Sequence, residues 1–223
     1  MELIECKDLS FSYEGRIVLQ NVNFKVNQGD YVCIIGENGS GKSTLVKGIL
    51  KLKNPVSGEI IYNNISSSEI GYLPQQTDMQ KDFPASVFEV VLSGRLNSLK
   101  NRFFYNKEDK KIAIENMKLL GISDLKKRNY QELSGGQQQR VLLARALCSA
   151  KKVILMDEPV SGLDPQAVSE LYMLISKLNK EHNMTVVMVS HDIDAALKYS
   201  THILHLEHQQ IFFGTTEDYK DKN

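Results

Sequence analysis

Five apolar residues, "YVCII" from Tyr31 to Ile35, run without a break into "GENGSGKST", Gly36 to Thr44. No other stretch restricts the fold of this 223-residue chain so tightly. A short strand without polar alternation suits burial on both faces, as inside a parallel sheet. The glycines that follow have the spacing G-x-x-x-x-G-K-[ST], with Gly36, Gly41, Lys42 and Ser43 at its fixed positions. Glycine permits a tight turn that aims successive backbone N–H groups inward, at the oxygens of a phosphate chain. "STLVKGILKL" then places Leu45, Ile49 and Leu52 at helical spacing, and the start of that helix adds about half a positive charge. Lys42 adds a full charge toward the β- and γ-phosphates, and the Ser43 hydroxyl can ligate Mg²⁺. Glu37, Asn38, Gly39, Ser40 and Thr44 complete the loop. Strand, glycine loop and helix together predict a phosphate site rather than a plain turn.

Around this unit the chain alternates strands with helices, which predicts a parallel α/β core. "KKVILMDEP" and "MTVVMVSHD" read as two further buried strands, and "AVSELYMLISKLNKE" between them reads as an amphipathic helix. "LIECKDLSFSY" and "IVLQNVNFKV", separated by Glu14-Gly15, are loosely alternating strands ahead of the core. "NPVSGEIIY" and "IGYLPQQ" suggest two more strands. Val87 to Leu133 is mostly helical, broken by "NSLKNRF" and "GISD". The end, "HILHLEHQQIFFG", reads as a hairpin. The strand-rich start and the helical middle look like additions to the core, with neither internal repeat nor linker.

Acids close the second buried strand. Asp157 is placed to hold Mg²⁺ directly or through water, leaving Glu158 to polarise an attacking water as general base. His191 follows the third buried strand directly. Carboxyl ends of parallel strands cluster around the ligand crevice, so His191 is expected to meet the γ-phosphate. Gln75, after "GYLP", belongs to the same class, because a neutral amide can touch both metal and water. A second glycine-marked helix start appears at "LSGGQQQR", Leu133 to Arg140. Ser134 as N-cap with bare glycine N–H groups behind it would make another anion site. An ordinary capped helix would read the same way.

These stretches together resemble a known family. "GENGSGKST" as Walker A, "YLPQ", "LSGGQQQR", "VILMDE" as Walker B, "SGLD" and "VSHD" occur in the order and spacing of an ABC-type ATPase, over essentially the whole chain. The resemblance implies one ABC ATPase domain over residues 1–223. Its fold would be that of a P-loop NTPase, with a RecA-like parallel core, an antiparallel β subdomain and an α-helical subdomain inserted at roughly 85–140. It implies ATP and Mg²⁺ as ligands, with Ser43, Gln75 and Asp157 around the metal. Tyr13 matches the aromatic residue that stacks on adenine, Gln75 the Q-loop glutamine and His191 the switch histidine. Ser134, Gly135, Gly136 and Gln137 match the signature, which faces the γ-phosphate held by a second copy packed head to tail. Asp164 matches the loop that crosses the interface.

A chain with one nucleotide domain and no spanning segment resembles the detached ATPase subunit of a transporter. Such a subunit lies at the cytoplasmic face of the membrane against integral permease subunits. "PQQTDMQKDFPASVFEVVLSGRLN" is where that family docks its membrane partner. Its "DFP" before "V-x-x-V-V-L-x-G-R" resembles ATPases of importers for zinc, manganese or iron ions, zinc or manganese being favoured. Those systems also use an extracytoplasmic metal-binding protein. ATPases of iron–siderophore or cobalamin importers are the alternative, and those of exporters a more distant one.

Composition agrees. Lys plus Arg and Asp plus Glu both number 27, which gives no broad electrostatic grip on nucleic acid or anionic lipid. Apolar runs of about five residues fall far short of the roughly 20 that cross a bilayer. Cys6, Cys33 and Cys148 sit in apolar surroundings and read as reduced core residues. His202, His205 and His208, three apart, invite a zinc-sensor reading. On one strand, however, His205 would point opposite to the other two, so the ligands would not converge.

Overall fold

A computed structural model of the chain describes residues 1–75, 84–99 and 102–222. Three strands, β1 (Glu2–Tyr13), β2 (Arg16–Asn27) and β4 (Ser57–Tyr62), form an antiparallel sheet in the order β2-β1-β4. The second sheet has six strands. They are β3 (Tyr31–Ile35), β5 (Ile70–Leu73), β6 (Val153–Asp157), β7 (Thr185–Val189), β8 (His202–Leu206) and β9 (Gln210–Thr215). Their order is β5-β6-β7-β3-β8-β9, parallel from β5 to β8 and closed by the antiparallel β8–β9 pair.

The uniformly apolar strands are buried for a simple reason. Tyr31, Cys33 and Ile35 of β3 belong to one core, and Val32 and Ile34 to another on the opposite face. β6 and β7 divide their side chains in the same way, Ile154, Met156, Val186 and Met188 against Val153, Leu155, Val187 and Val189. Period-two alternation thus fills both faces. One core packs the six-stranded sheet against α1 (Lys42–Ile49) and the antiparallel sheet, through Leu45, Val46, Ile49, Leu9 and Phe11. The other packs it against helices on its far side.

Among the described residues three helices, α2 (Val87–Ser93), α3 (Lys107–Leu119) and α4 (Gly135–Ser149), lie in the excursion between β5 and β6. Each starts at a reciprocal capping box, Ser86 with Glu89, Asn106 with Asp109 and Ser134 with Gln137, which satisfies two otherwise orphaned N–H donors. Asp109 also accepts from Arg95 Nε at 3.1 Å and Arg102 Nη1 at 2.9 Å. Burial pushes its carboxyl up, but these bonds and that from the Asn106 N–H outweigh burial and hold it below its ordinary value. α4 continues unbroken past residue 140 and lies directly on β5. A Cβ on Gly71 would come 2.5 Å from the Ala146 carbonyl oxygen, so this approach requires glycine.

The strand expected over "IGYLPQQ" ends at Leu73, because Pro74 has no N–H for a ladder. Gln76 and the "DFP" residues Asp82 and Phe83 lie outside the described residues. The helical middle is less helical than its pattern suggests, with short 3₁₀ turns at Leu96–Ser98, Ser123–Leu125 and Tyr130–Glu132 between α2, α3 and α4. After β6 come α5 (Pro165–His182), α6 (Ile193–Tyr199) and α7 (Thr216–Lys222). All three cysteines are free and buried, and burial raises their thiols above the ordinary range. Among the described residues no helix is long and apolar enough to cross a membrane.

Candidate active site

Four neighbouring strand ends, those of β5, β6, β7 and β3, deliver residues far apart in the chain to one edge of the sheet. β3 delivers the phosphate loop. Gly36 has φ 143°, and a Cβ there would lie 2.1 Å from the Leu206 carbonyl oxygen. Glu37, Asn38 and Gly39 (φ 84°) carry the chain round to Ser40 and to Gly41, the N-cap of α1. Lys42, Ser43 and Thr44 form the first turn of α1. A Cβ on Gly41 would touch Leu19 at 3.0 Å, which sets the β1–β2 hairpin against this loop. Lys42 is only 5% exposed, and its Nζ donates to the Gly36 and Glu37 carbonyls at 2.8 and 2.7 Å. Burial lowers its pKa, with Glu158 and Asp157 opposing that effect.

Asp157 ends β6 as a buried carboxylate. Burial, and then the neighbouring Glu158, push its pKa above the ordinary aspartate value, while Lys42 and a hydrogen bond from Ser43 pull it back. Among the described residues the buried side-chain polar atoms without a hydrogen-bond partner are Asp157 Oδ1 and Ser40 Oγ, both at this site. Leaving such atoms unpaired is expensive. An unpaired buried carboxylate oxygen, with the Ser43 hydroxyl bonded to the same carboxylate, is the donor set a hard cation takes. Ser43 and Asp157 therefore fit Mg²⁺.

Glu158 adopts φ 48°, the left-handed region that a non-glycine residue seldom occupies, and its N–H donates to the Val189 carbonyl at 3.2 Å. This turn aims its carboxylate at the ends of β5 and β7. Gln75 Nε2 donates to Glu158 Oε2 at 3.0 Å, and His191 Nε2 hydrogen-bonds Oε1. The three residues singled out for catalysis thus form one cluster. Ser190 and Asp192, which the sequence reading passed over, position the histidine between them. The Asp192 N–H donates to Ser190 Oγ at 3.0 Å, and Asp192 caps α6 through the Ala195 N–H at 2.9 Å. Aspartate directly before an apolar helical run is the signal that could have found this cap.

Tyr13 closes β1, 43% exposed, with Lys53 Nζ 3.7 Å from its ring centroid. The signature residues lie elsewhere. Ser134, Gly136 and Gln137 line a cavity of about 360 Å³ together with Asp164, the N-cap of α5, and none of the phosphate-loop residues line it. Gly135 adjoins it, since a Cβ there would meet Leu163 Cδ2 at 3.4 Å. Ser134 Oγ accepts from the Gln137 N–H at 3.3 Å and Asp164 Oδ1 from the Ala167 N–H at 2.9 Å. The three histidines of the last hairpin go separate ways. His202 stacks on Phe213 and His205 Nδ1 meets the Tyr219 hydroxyl at 3.1 Å. His208 lies past the end of β8 in a left-handed turn, rather than on the strand as the alternation argument assumed.

Residues 19–161 match the protein family described as ABC transporter. The chain belongs to the ABC transporter ATP-binding family. The manganese transport system ATP-binding protein MntB of Bacillus subtilis is 40% identical over 96% of this chain and 87% of its own length. The zinc uptake system ATP-binding protein ZurA of Listeria innocua is 36% identical over 98% and 88%. Among solved structures, an ABC transporter described as of metal-chelate type, in an inward-facing conformation, aligns with a TM-score of 0.88 at 32% identity over 98% of this chain and 85% of that one. The dimeric structure of a bacterial ABC transporter cassette aligns with a TM-score of 0.74 at 29% identity over 96% and 99%. The fold is therefore that of an ABC ATPase, and the chain is an ATP-binding, ATP-hydrolysing subunit.

Proposed function

We propose that this ABC ATPase powers import of a divalent metal ion, zinc or manganese, through a separate membrane permease supplied by an extracytoplasmic metal-binding protein. The metal class rests on likeness to MntB and ZurA over nearly the full chain. The chemistry rests on one observation, the Gln75–Glu158–His191 cluster at strand ends adjoining the phosphate loop.

In this reading Lys42 and the loop N–H groups bind the β- and γ-phosphates, and Tyr13 stacks on adenine. Ser43, Asp157 and Gln75 hold Mg²⁺, which when bound neutralises charge on the phosphate oxygens. Glu158 takes the proton of the attacking water. Gln75 orients that water, while His191 steadies the Glu158 carboxylate and meets the γ-phosphate. Ser134 to Gln137 and Asp164 complete the site of a second copy packed head to tail, consistent with their lying in a cavity apart from the chain's own phosphate loop.

The test is ATPase activity after reconstitution with the permease and binding protein in liposomes. Stimulation by Mn²⁺ or Zn²⁺ is expected. Stimulation by a ferric siderophore or cobalamin, with none by either ion, would overturn the metal assignment.

A further inference from the structure

The first turns of α4 and α5 lie side by side with almost nothing between them. A Cβ on Gly136 would stand 3.0 Å from the Ala167 Cβ. Their caps, Ser134 and Asp164, line one cavity. Small residues allow this approach but cannot fix how one helix sits along the other. Arg140 supplies that constraint. From α4 its Nη2 donates to Glu170 Oε2 on α5 at 2.5 Å, and Gln166 Nε2, one turn earlier on α5, donates to Glu170 Oε1 at 3.0 Å. Both carboxylate oxygens are thereby used, and all three side chains line the same cavity as the two caps.

The Arg140 and Glu170 side chains are 29% and 39% exposed, and a pair in that setting adds little to fold stability. Its geometric effect is larger, because a planar guanidinium fixes direction as well as distance. Asp164 is joined to Glu158 by two successive tight turns, in which the Ser161 N–H donates to the Glu158 carbonyl and the Leu163 N–H to the Val160 carbonyl, each at 3.2 Å. A shift at the start of α4 therefore reaches Glu158 through the clamp, the start of α5 and this short connection.

We infer that Arg140 and Glu170 are positioning residues for ATP hydrolysis, locking the signature helix and the Asp164 helix into one unit, so that engagement of Ser134 by a neighbour's γ-phosphate sets Glu158. This rests on the reading that Ser134 serves the second copy's nucleotide. It assigns to the Arg140–Glu170 pair a role in turnover rather than in folding or in binding ATP.

The experiment compares Arg140→Ala, Glu170→Ala, the double variant and the exchanged pair Arg140→Glu/Glu170→Arg, with Ser134→Ala alongside. Steady-state kcat and KM, ATP affinity of the monomer and thermal midpoint are measured for each. One contact of this kind predicts that each single variant lowers kcat about five-fold, with KM, monomer affinity and midpoint little changed. The double variant should be no slower than the singles, and the exchanged pair should recover most of the loss. Additive losses, losses that follow the thermal midpoint, or wild-type turnover in the singles would overturn the proposal. If the single variants fail to fold, the exchanged pair decides, since a folded exchange without turnover overturns it equally. Ser134→Ala separates the two layers. Wild-type turnover there removes the second-copy reading and the clamp with it, whereas a slow Ser134→Ala beside wild-type Arg140 and Glu170 variants removes the clamp alone.

Discussion

Asp157→Asn should make the protein more stable when no ligand is present and less responsive when one is. Asp157 is 7% exposed, and its Oδ1 has no hydrogen-bond partner. An unsatisfied buried acceptor costs about 1–3 kcal/mol, more when charged. Burial and Glu158 disfavour the ionised form, while Lys42 and the Ser43 hydroxyl favour it, and the raised pKa shows which side wins. A neutral amide escapes the first two effects and forfeits the attraction to Lys42, leaving a net gain of about 1 kcal/mol, or roughly 3 °C in midpoint for a chain of this size. The sign with pH follows. A carboxyl raised in the folded state contributes stability below its ordinary range and loses it as pH rises through the raised value. The wild type therefore bears the full cost at neutral pH, and the variant's advantage should shrink on acidification. Mg²⁺ with ATP should reverse the order, because ligand at 100 times its Kd adds about 2.7 kcal/mol to a competent site and the variant lacks an anionic metal ligand. Thermal denaturation with and without Mg²⁺-ATP at neutral and acid pH reads all of this. A variant that melts lower than wild type without ligand, or gains the same increment with it, would refute the reasoning.

Glu158→Gln should retain ATP binding and trap an ATP-bound dimer by light scattering, with turnover falling about 10²- to 10⁴-fold as the base is lost. The cluster accommodates the change, because the Gln75 amide can rotate to accept where it now donates; undiminished hydrolysis would remove Glu158 from its role. Gly136→Asp should spare ATP binding by the monomer and block hydrolysis. Its Cβ meets Ala167 at 3.0 Å, a contact relieved by a few tenths of an ångström, so most of the effect should come from negative charge beside a γ-phosphate; a collapse of monomer affinity would instead place the signature in the chain's own site. Tyr13→Ala should raise the KM for ATP about five-fold, the scale of one lost aromatic stack, measured by steady-state turnover.

Much of the core was legible because its determinants are local. "YVCII", "VILMD" and "TVVMV" are each buried at all five positions, as a strand without polar alternation must be. The phosphate loop carries its conformation in its glycines, and α4 carries its start in the Ser134 cap. Residues on neighbouring strand ends could be placed in one crevice from strand polarity alone, without the strand order. Features set by meetings between distant segments stayed hidden. Nothing in the sequence marks Arg140 for Glu170, Lys53 for the face of Tyr13, or Asp109 for two arginines. The left-handed turn at Glu158 was equally silent, since no glycine or asparagine stands there to announce it. The hairpin histidines show the reverse error, where a correct rule of alternation was carried past the end of its strand.

β5 and β6 are hydrogen-bonded neighbours, yet the chain leaves one at Leu73 and regains the other at Val153. Closing a chain excursion grows dearer only with the logarithm of its length, and doubling the excursion adds about 0.6 kcal/mol. The spacing between Gln75 and Glu158 is held by the ladder, not by what lies between them in sequence. Changes in the length or sequence of that excursion therefore leave Gln75 and Glu158 together at the strand ends as long as the ladder holds. A chimaera that exchanges it between relatives, joined at the ends of β5 and β6, asks of the recipient that both strands still pair, that Gly71 still admits α4, and that the new segment still fills the core shared with β6 and β7.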